Sequence, residues 1–398
     1  MTAGRRWSSD IERYHPVNVR SRTVIRERGR GWLGRLLGVA LAMAGAACLE
    51  DGRRTFAYVA SPGATPGSVG KLAAFAVDDA TGRFSPVVDL SVRNPSALAV
   101  SPSGPFLYAS ASDLDSETGV PQFVAAYRID PETGGLSAVG QFRFQVLGRP
   151  TKMVVHGGVL YVLHHSTSTG THGGMVAYTL DDETGSLTWL GPVTSPDDPG
   201  FAAVEPRGPF LFVGGEMCTT RRCDPVVGAS RIEAGGRLVP LGTTMVDFEF
   251  VPADGVVDPT GRFLYVVRGS GPVLTFSIDG ATGALEAQGS VETGSEATAA
   301  ASVDPLGRTL FVSSGSDLRT YAIDRGTGRL TLVDSTPADA APVSVDVERS
   351  GRFVYVSSAR SREVRAYAVA AGRLAALGVV AAGGGDVVVA DVPPKSLE

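Results

Sequence analysis

Two short phrases alternate seven times along this chain, and that repetition narrows the possible folds more than any other feature. The first is a polar turn followed by an apolar–aromatic run. It reads DGRRTFAYV from Asp51, SPSGPFLYA from Ser101, HGGVLYV from His156, EPRGPFLFV from Glu205, DPTGRFLYV from Asp258, DPLGRTLFV from Asp304 and ERSGRFVYV from Glu348. The second is a run that closes on an acidic turn and a glycine: FAVDDATGRF from Phe75, YRIDPETGGL from Tyr127, YTLDDETGSL from Tyr178, SRIEAGGRL from Ser230, FSIDGATGAL from Phe276, YAIDRGTGRL from Tyr321 and YAVAAGRL from Tyr367. Its shared glycine falls at Gly82, Gly134, Gly185, Gly236, Gly283, Gly328 and Gly372, at intervals of 52, 51, 51, 47, 45 and 44 residues.

The chemistry of both phrases is that of strands and turns. Aromatic and β-branched residues suit a pleated, half-buried surface. Asp-Pro-x-Gly presets one φ and then supplies a residue tolerant of positive φ, so the chain turns tightly before the strand. In Asp-x-x-Thr-Gly the carboxylate can bond the backbone two residues on. Past residue 48 no long stretch shows the i, i+3, i+4 periodicity of a helix. A period of this length with several strand signals per unit is that of a propeller of four-stranded blades. The expected fold is therefore all-β, a seven-bladed β-propeller. Five of the units open with an apolar strand ahead of the acidic turn, as in SALAVSP from Ser96 or GVVDP from Gly255. The first unit lacks that strand, and the C-terminus carries a spare one, DVVVADVPP from Asp386. The ring should close by seating this C-terminal strand as the innermost strand of the first blade, which removes the exposed sheet edges.

The N-terminal segment differs in character. Residues 1–47 hold nine arginines against Asp10, Glu12 and Glu27, so the formal charge of −5 for the 398-residue chain becomes −11 for the remainder. An acidic body speaks against nucleic acid, whose phosphates need neutralising, and against a peripheral anionic-lipid surface. Leu36–Ala47 is a 12-residue apolar run behind Arg26, Arg28, Arg30 and Arg35. It is too short to span a bilayer as a helix and is laid out like a secretory signal. It ends in Gly45-Ala46-Ala47-Cys48, which resembles a bacterial lipobox, with ordinary signal-peptidase cleavage and a structural helix as the other readings. The expected organisation is an export signal over 1–47, a short tether over 48–54, the propeller over 55–393 and a tail over 394–398. Lipidation of Cys48 would place the protein in a bacterial cell envelope, touching membrane only through that anchor. The remaining cysteines, Cys218 and Cys223, read as a disulfide in an oxidising compartment. Free thiols are the second reading, and zinc the third, needing two further ligands for which Glu216 and Asp224 are at hand.

The paired phrases resemble the lactonase-type seven-bladed propellers, the group that includes 6-phosphogluconolactonase-like proteins, over Arg54–Pro393. That resemblance implies a lactonase-like hydrolase acting on a small lactone or sugar derivative at the central channel. In that family a Pro-His pair commonly opens the innermost strands. Here the corresponding positions read Pro95-Ser96, Pro150-Thr151, Pro199-Gly200, Pro252-Ala253, Ala297-Thr298 and Pro342-Val343, so a lactonase built on this chain needs another base.

Propellers take ligands at the channel mouth, where the loops entering the innermost strands converge. A lactonase needs a general base for water and a positive group for the oxyanion. Glu249 or Glu296 is the candidate base, with Arg149 or Lys152 as the positive group and Asp254 as a further ligand-binding residue. His164 is a third candidate base; His165 and His172 are a candidate metal pair without an evident third ligand. Converging carboxylates can also hold Ca²⁺, and ordinary rim charges are the plain alternative. No phosphate loop, nucleophile elbow, zinc-protease or dinucleotide motif is present, so the sequence offers no cofactor. The alternative function is a non-catalytic envelope propeller, expected as a monomer, that binds a protein or glycan on one rim, with the Met217–Val226 loop as its decoration.

Overall fold

The computed structural model describes residues 52–63, 69–102, 105–112, 122–146, 148–166, 172–219, 222–246, 252–268, 271–294, 298–338 and 342–394. The signal segment with Cys48, and also Glu249 and Glu296, lie outside them. The described chain forms 28 strands in seven four-stranded antiparallel sheets; its only helical element is one 3-10 turn at Ala234–Gly236. The seven sheets are the blades of the expected propeller. Blade 1 is a composite: Val387–Val392 lies innermost, followed outward by Arg54–Ser61, Val69–Val77 and Phe84–Arg93. Phe56 pairs with Ala390 and Tyr58 with Val388, so the two ends of the propeller are zipped by an antiparallel ladder. The innermost strands of blades 2 to 7 are Leu98–Val100, Arg149–His156, Asp197–Val204, Pro252–Val257, Thr298–Val303 and Pro342–Val347.

The two sequence phrases turn out to be two halves of one lock. The first phrase supplies the second strand of a blade, and the second phrase supplies the turn between strands three and four of the next. Tyr58 in blade 1 donates its hydroxyl proton to the Gly134 carbonyl in blade 2 at 3.1 Å. The same bond joins Tyr108 to Gly185, Tyr161 to Gly236 and Tyr265 to Gly328. Tyr355 of blade 7 reaches Gly82 of blade 1 at 3.1 Å and completes the circuit. Burial raises these phenols, Tyr161 to about 12, so at neutral pH they stay protonated donors. Two residues before four of these tyrosines an aromatic ring covers the same glycine, and before Tyr161 it is Val159: a Cβ at Gly134, with φ +75, would fall against the Phe56 ring. Phe106 covers Gly185, Phe263 covers Gly328 and Phe353 covers Gly82 in the same way. The glycines recur because the turn needs a positive φ and the neighbouring ring leaves no room for a side chain.

The hydrophobic core follows the same logic. The buried side chains form seven clusters, one at each junction between consecutive blades. Phe56, Tyr58, Leu98 and Leu107 join blades 1 and 2, for example, and Ala57, Phe75, Phe353 and Tyr355 join blades 7 and 1. Burying a large apolar side chain contributes about 1.5–3 kcal/mol, so each junction is held by apolar contact, and five of the seven are then oriented by a lock.

Candidate functional site

The locks occupy one face of the ring, the turn face. The innermost strands begin at the other, where each blade's outermost strand crosses to the next blade. On this crossover face the strand entries share a device. In blades 3, 5 and 7 the pairing register slips between the strand's opening proline and the residue two places on: Pro150 and Lys152, Pro252 and Asp254, Pro342 and Ser344. A bulge adds one residue and re-aims the side chain beyond it. The polar groups at the channel mouth are thus the residues two after proline.

Lys152 of blade 3 reaches past blade 4 to an ion pair between its Nζ and Asp254 Oδ1 in blade 5. The equivalent blade 4 residue, Phe201, is fully buried against Gly214 and Gly255. The other oxygen of Asp254, Oδ2, accepts the Ala301 N–H of blade 6 at 3.0 Å, and Oδ1 accepts the Gly255 N–H at 3.0 Å. Asp254 is 10% exposed through its side chain, with three of its four acceptor sites engaged; Lys152 is 38% exposed, and its ammonium has donors beyond the one given to Asp254.

A second carboxylate closes the mouth from the opposite side. Asp386, directly before the clasp strand, accepts the Leu98 N–H of blade 2 at 2.9 Å and the Ser344 hydroxyl of blade 7 at 2.8 Å. Burial raises its pKa above the ordinary aspartate value; its two hydrogen bonds and the Lys152 charge work against that, while the Asp254 charge adds to it. Asp346, two residues along the same blade 7 strand, accepts the Val389 N–H at 2.7 Å. Burial pushes Asp346 up to about 7, with Asp386 and Asp391 adding to the shift. Both residues are half-buried, so protein surrounds them while water still reaches them. The mouth therefore offers an ammonium paired with one carboxylate and a second carboxylate with an unused lone pair on each oxygen among the described residues.

The other sequence candidates lie elsewhere. Arg149 is exposed at the strand entry, opposite His165. His164 sits on the second strand of blade 3, buried edge-on against Phe144 with centroids 5.5 Å apart. Its Nδ1 has no hydrogen-bond partner among the described residues, and burial lowers its pKa. His165 Nε2 lies 3.3 Å from the Pro199 carbonyl, and His172 Nδ1 lies 3.1 Å from Asp198 Oδ2. Cys218 and Cys223 face each other across the blade 4 hairpin and are bonded, with S–S 2.00 Å. In the sequence Asp386 stands out only as the start of the spare C-terminal strand, and Ser344 was missed. The Pro-x-polar spacing shared by Lys152, Asp254 and Ser344 was the signal that could have found the set.

Comparison with known proteins fits this architecture. The family model described as Lactonase, 7-bladed beta-propeller, matches residues 116–219, 232–346 and 292–390. Among solved structures, a putative 6-phosphogluconolactonase from Bacteroides uniformis is 19% identical, with TM-score 0.70 over 85% of this chain and 99% of its own. The periplasmic gluconolactonase of Pseudomonas aeruginosa is 20% identical, with TM-score 0.70 over 85% of this chain and 100% of its own. A Chaetomium thermophilum propeller bound to the N-terminus of a ribosomal protein is 14% identical, with TM-score 0.54 over 80% and 82%. No curated protein sequence matches the chain.

Proposed function

Since the chain belongs to the lactonase family of seven-bladed β-propellers, we propose that it hydrolyses a small lactone or sugar lactone at the crossover-face mouth of its channel, with Lys152 and Asp386 as the working pair. The observation that carries this reading is the division of labour between the two carboxylates. Asp254 has three of its four acceptor sites engaged and holds Lys152 in an ion pair. Asp386 keeps lone pairs free and has a raised pKa in a water-accessible setting, the condition that suits a general base.

In the proposed step Asp386 takes a proton from water as the oxygen attacks the lactone carbonyl. The developing oxyanion is stabilised by the Lys152 ammonium. Collapse breaks the ring C–O bond, and the proton held by Asp386 passes to the leaving alkoxide, giving the hydroxy acid. The reading includes export by the Leu36–Ala47 signal and anchoring through Cys48, so the substrate would be met in the envelope.

A pH-stat assay of the full chain against a lactone panel tests it. Lys152→Met should lower kcat/KM at least 100-fold, the scale of losing one oxyanion partner, and should lower the thermal midpoint as well, because the nearly buried Asp254 loses its ion-pair partner. Glu249→Gln and Glu296→Gln run beside it. A loss confined to one of those variants would move the base there. Absence of turnover from folded protein across the panel would sink the hydrolase and favour a propeller that binds a partner on its rim.

A further inference from the structure

Outside the channel, the crossover face carries a second cluster on blades 3 and 4, and its chemistry is different. Among the described residues, a ring nitrogen of His172 and the sulfurs of Cys218 and Cys223 lie within 4.8 Å of one another. Three whole strands and most of a fourth separate His172 from Cys218 along the chain, yet the fold sets them together. Asp198 holds the histidine: Oδ2 is 3.1 Å from Nδ1, while Oδ1 accepts the Gly173 N–H at 2.5 Å. Glu216 Oε2 lies 3.7 Å from Cys218 Sγ. A tetrahedral zinc ion with a sulfur at about 2.3 Å and an oxygen at about 2.0–2.2 Å separates those two ligands by roughly 3.5–3.7 Å. His172 and Cys223 are exposed and Cys218 and Glu216 half-buried, so an ion has a path in.

We propose that this cluster is a redox-gated zinc site, closed as the Cys218–Cys223 disulfide and opened by a dithiol reductant, with His172, Cys218, Cys223 and Glu216 as ligands. The exchange balances. The Sγ–Sγ bond breaks as the dithiol is oxidised to its own disulfide, and its two protons pass to Cys218 and Cys223. Zinc then displaces both protons, leaving two thiolates, a neutral imidazole and a carboxylate around the ion. Asp198 acts as a positioning residue, fixing the imidazole as carboxylates do for metal-bound histidines. Thiolates with one imidazole select zinc over calcium or magnesium. The two states exclude each other, because sulfurs bonded at 2.00 Å cannot also sit as two separate tetrahedral ligands.

The test uses the full chain, oxidised or reduced with a phosphine, which becomes the phosphine oxide and is then removed under argon. Thiol titration confirms two thiols, and zinc binding is measured by competition with a chromogenic chelator. Cobalt(II) is added separately as a spectroscopic probe. The reduced protein should bind one zinc per chain at least 100-fold more tightly than the oxidised protein. Its cobalt adduct should show thiolate charge-transfer and tetrahedral visible bands. His172→Ala and the Cys218→Ser/Cys223→Ser pair should abolish the difference, and Asp198→Asn should weaken it by roughly 10–100-fold. Equal zinc affinity in both redox states, binding unaffected by His172→Ala, or failure to expose two thiols in the folded protein would each overturn the proposal.

Discussion

The turn face and the crossover face of this propeller are built on opposite principles. On the turn face one contact recurs at five of the seven junctions, a tyrosine hydroxyl on a glycine carbonyl, with a phenylalanine ring over the glycine at four of them. On the crossover face the group changes between blades: Lys152, Phe201, Asp254 and Ser344 stand at comparable places, and Asp386 enters from the clasp. Repetition therefore follows the need for every blade to meet its neighbour alike. Individuality collects where one asymmetric ligand would be received. The lock is uncharged and dry, whereas the mouth is held by carboxylates that accept backbone N–H groups from the next blade. Each property gives a way to separate the two faces experimentally.

The largest effect should come from breaking a lock at its glycine. Gly134 has φ +75, and any side chain there meets Phe56. Gly134→Val forces a β-branched residue into a left-handed conformation and overpacks the blade 1–2 junction, which together should cost about 2–5 kcal/mol. Urea unfolding should show a lower midpoint for this variant. If stability is unchanged, the lock contributes no more than ordinary surface contacts. The same substitution at Gly289, where a Cβ meets nothing within 4 Å, is the control and should lose only the backbone component.

That contrast also explains what was legible in the sequence. The repeat count, the blade size and the clasp were all written locally, in turn chemistry and in the spare C-terminal strand. The lock was written too, but as two separate phrases, because its halves belong to different blades and no spacing along the chain says which blade meets which. Lys152 and Asp254 were readable as charges at strand entries. Their pairing was not, because it depends on two bulges and on Phe201 turning away from the channel. The proximity of His172 to Cys218 and Cys223 was hidden for the same reason: it joins a loop of one blade to a hairpin of the next.

The next effect separates the faces by pH. Asp346 has a folded-state pKa of about 7 against 3.8 for the free side chain. Between those values the native protein binds more protons than the unfolded chain, so stability falls as pH rises from about 4 to 7 and then levels off. Asp386 is raised as well and shifts stability in the same direction. One such group gives a slope of at most about 1.4 kcal/mol per pH unit, reduced here because channel water reaches the carboxyls. Denaturation followed from pH 5 to pH 8 should show the wild type losing stability, and Asp346→Asn should flatten the curve. Gly134→Val should shift the curve down without changing its shape, because no titrating group takes part in the Tyr58–Gly134 bond. A pH profile unaffected by Asp346→Asn would place the titration elsewhere.

The smallest effect is the hydroxyl itself, and the molecule already contains the comparison. In blades 4 and 6 the tyrosine position is filled by Phe212 and Phe311, so those junctions close on ring contact alone. A buried hydroxyl bonded to a carbonyl contributes about 0.5–1.5 kcal/mol net, so Tyr265→Phe should lower stability by that amount. Its ring still fills the blade 5–6 junction, while the Gly328 carbonyl loses a donor. Phe212→Tyr asks the reverse question, since Gly283 of the next blade lies under Phe210 as Gly328 lies under Phe263. If the lock is one transferable unit, Phe212→Tyr should recover about what Tyr265→Phe loses, and the double variant should match the parent, since the two junctions share no side chain. If Phe212→Tyr destabilises instead, the blade 4 junction has repacked around the missing hydroxyl, and the seven junctions are alike in sequence but not in packing.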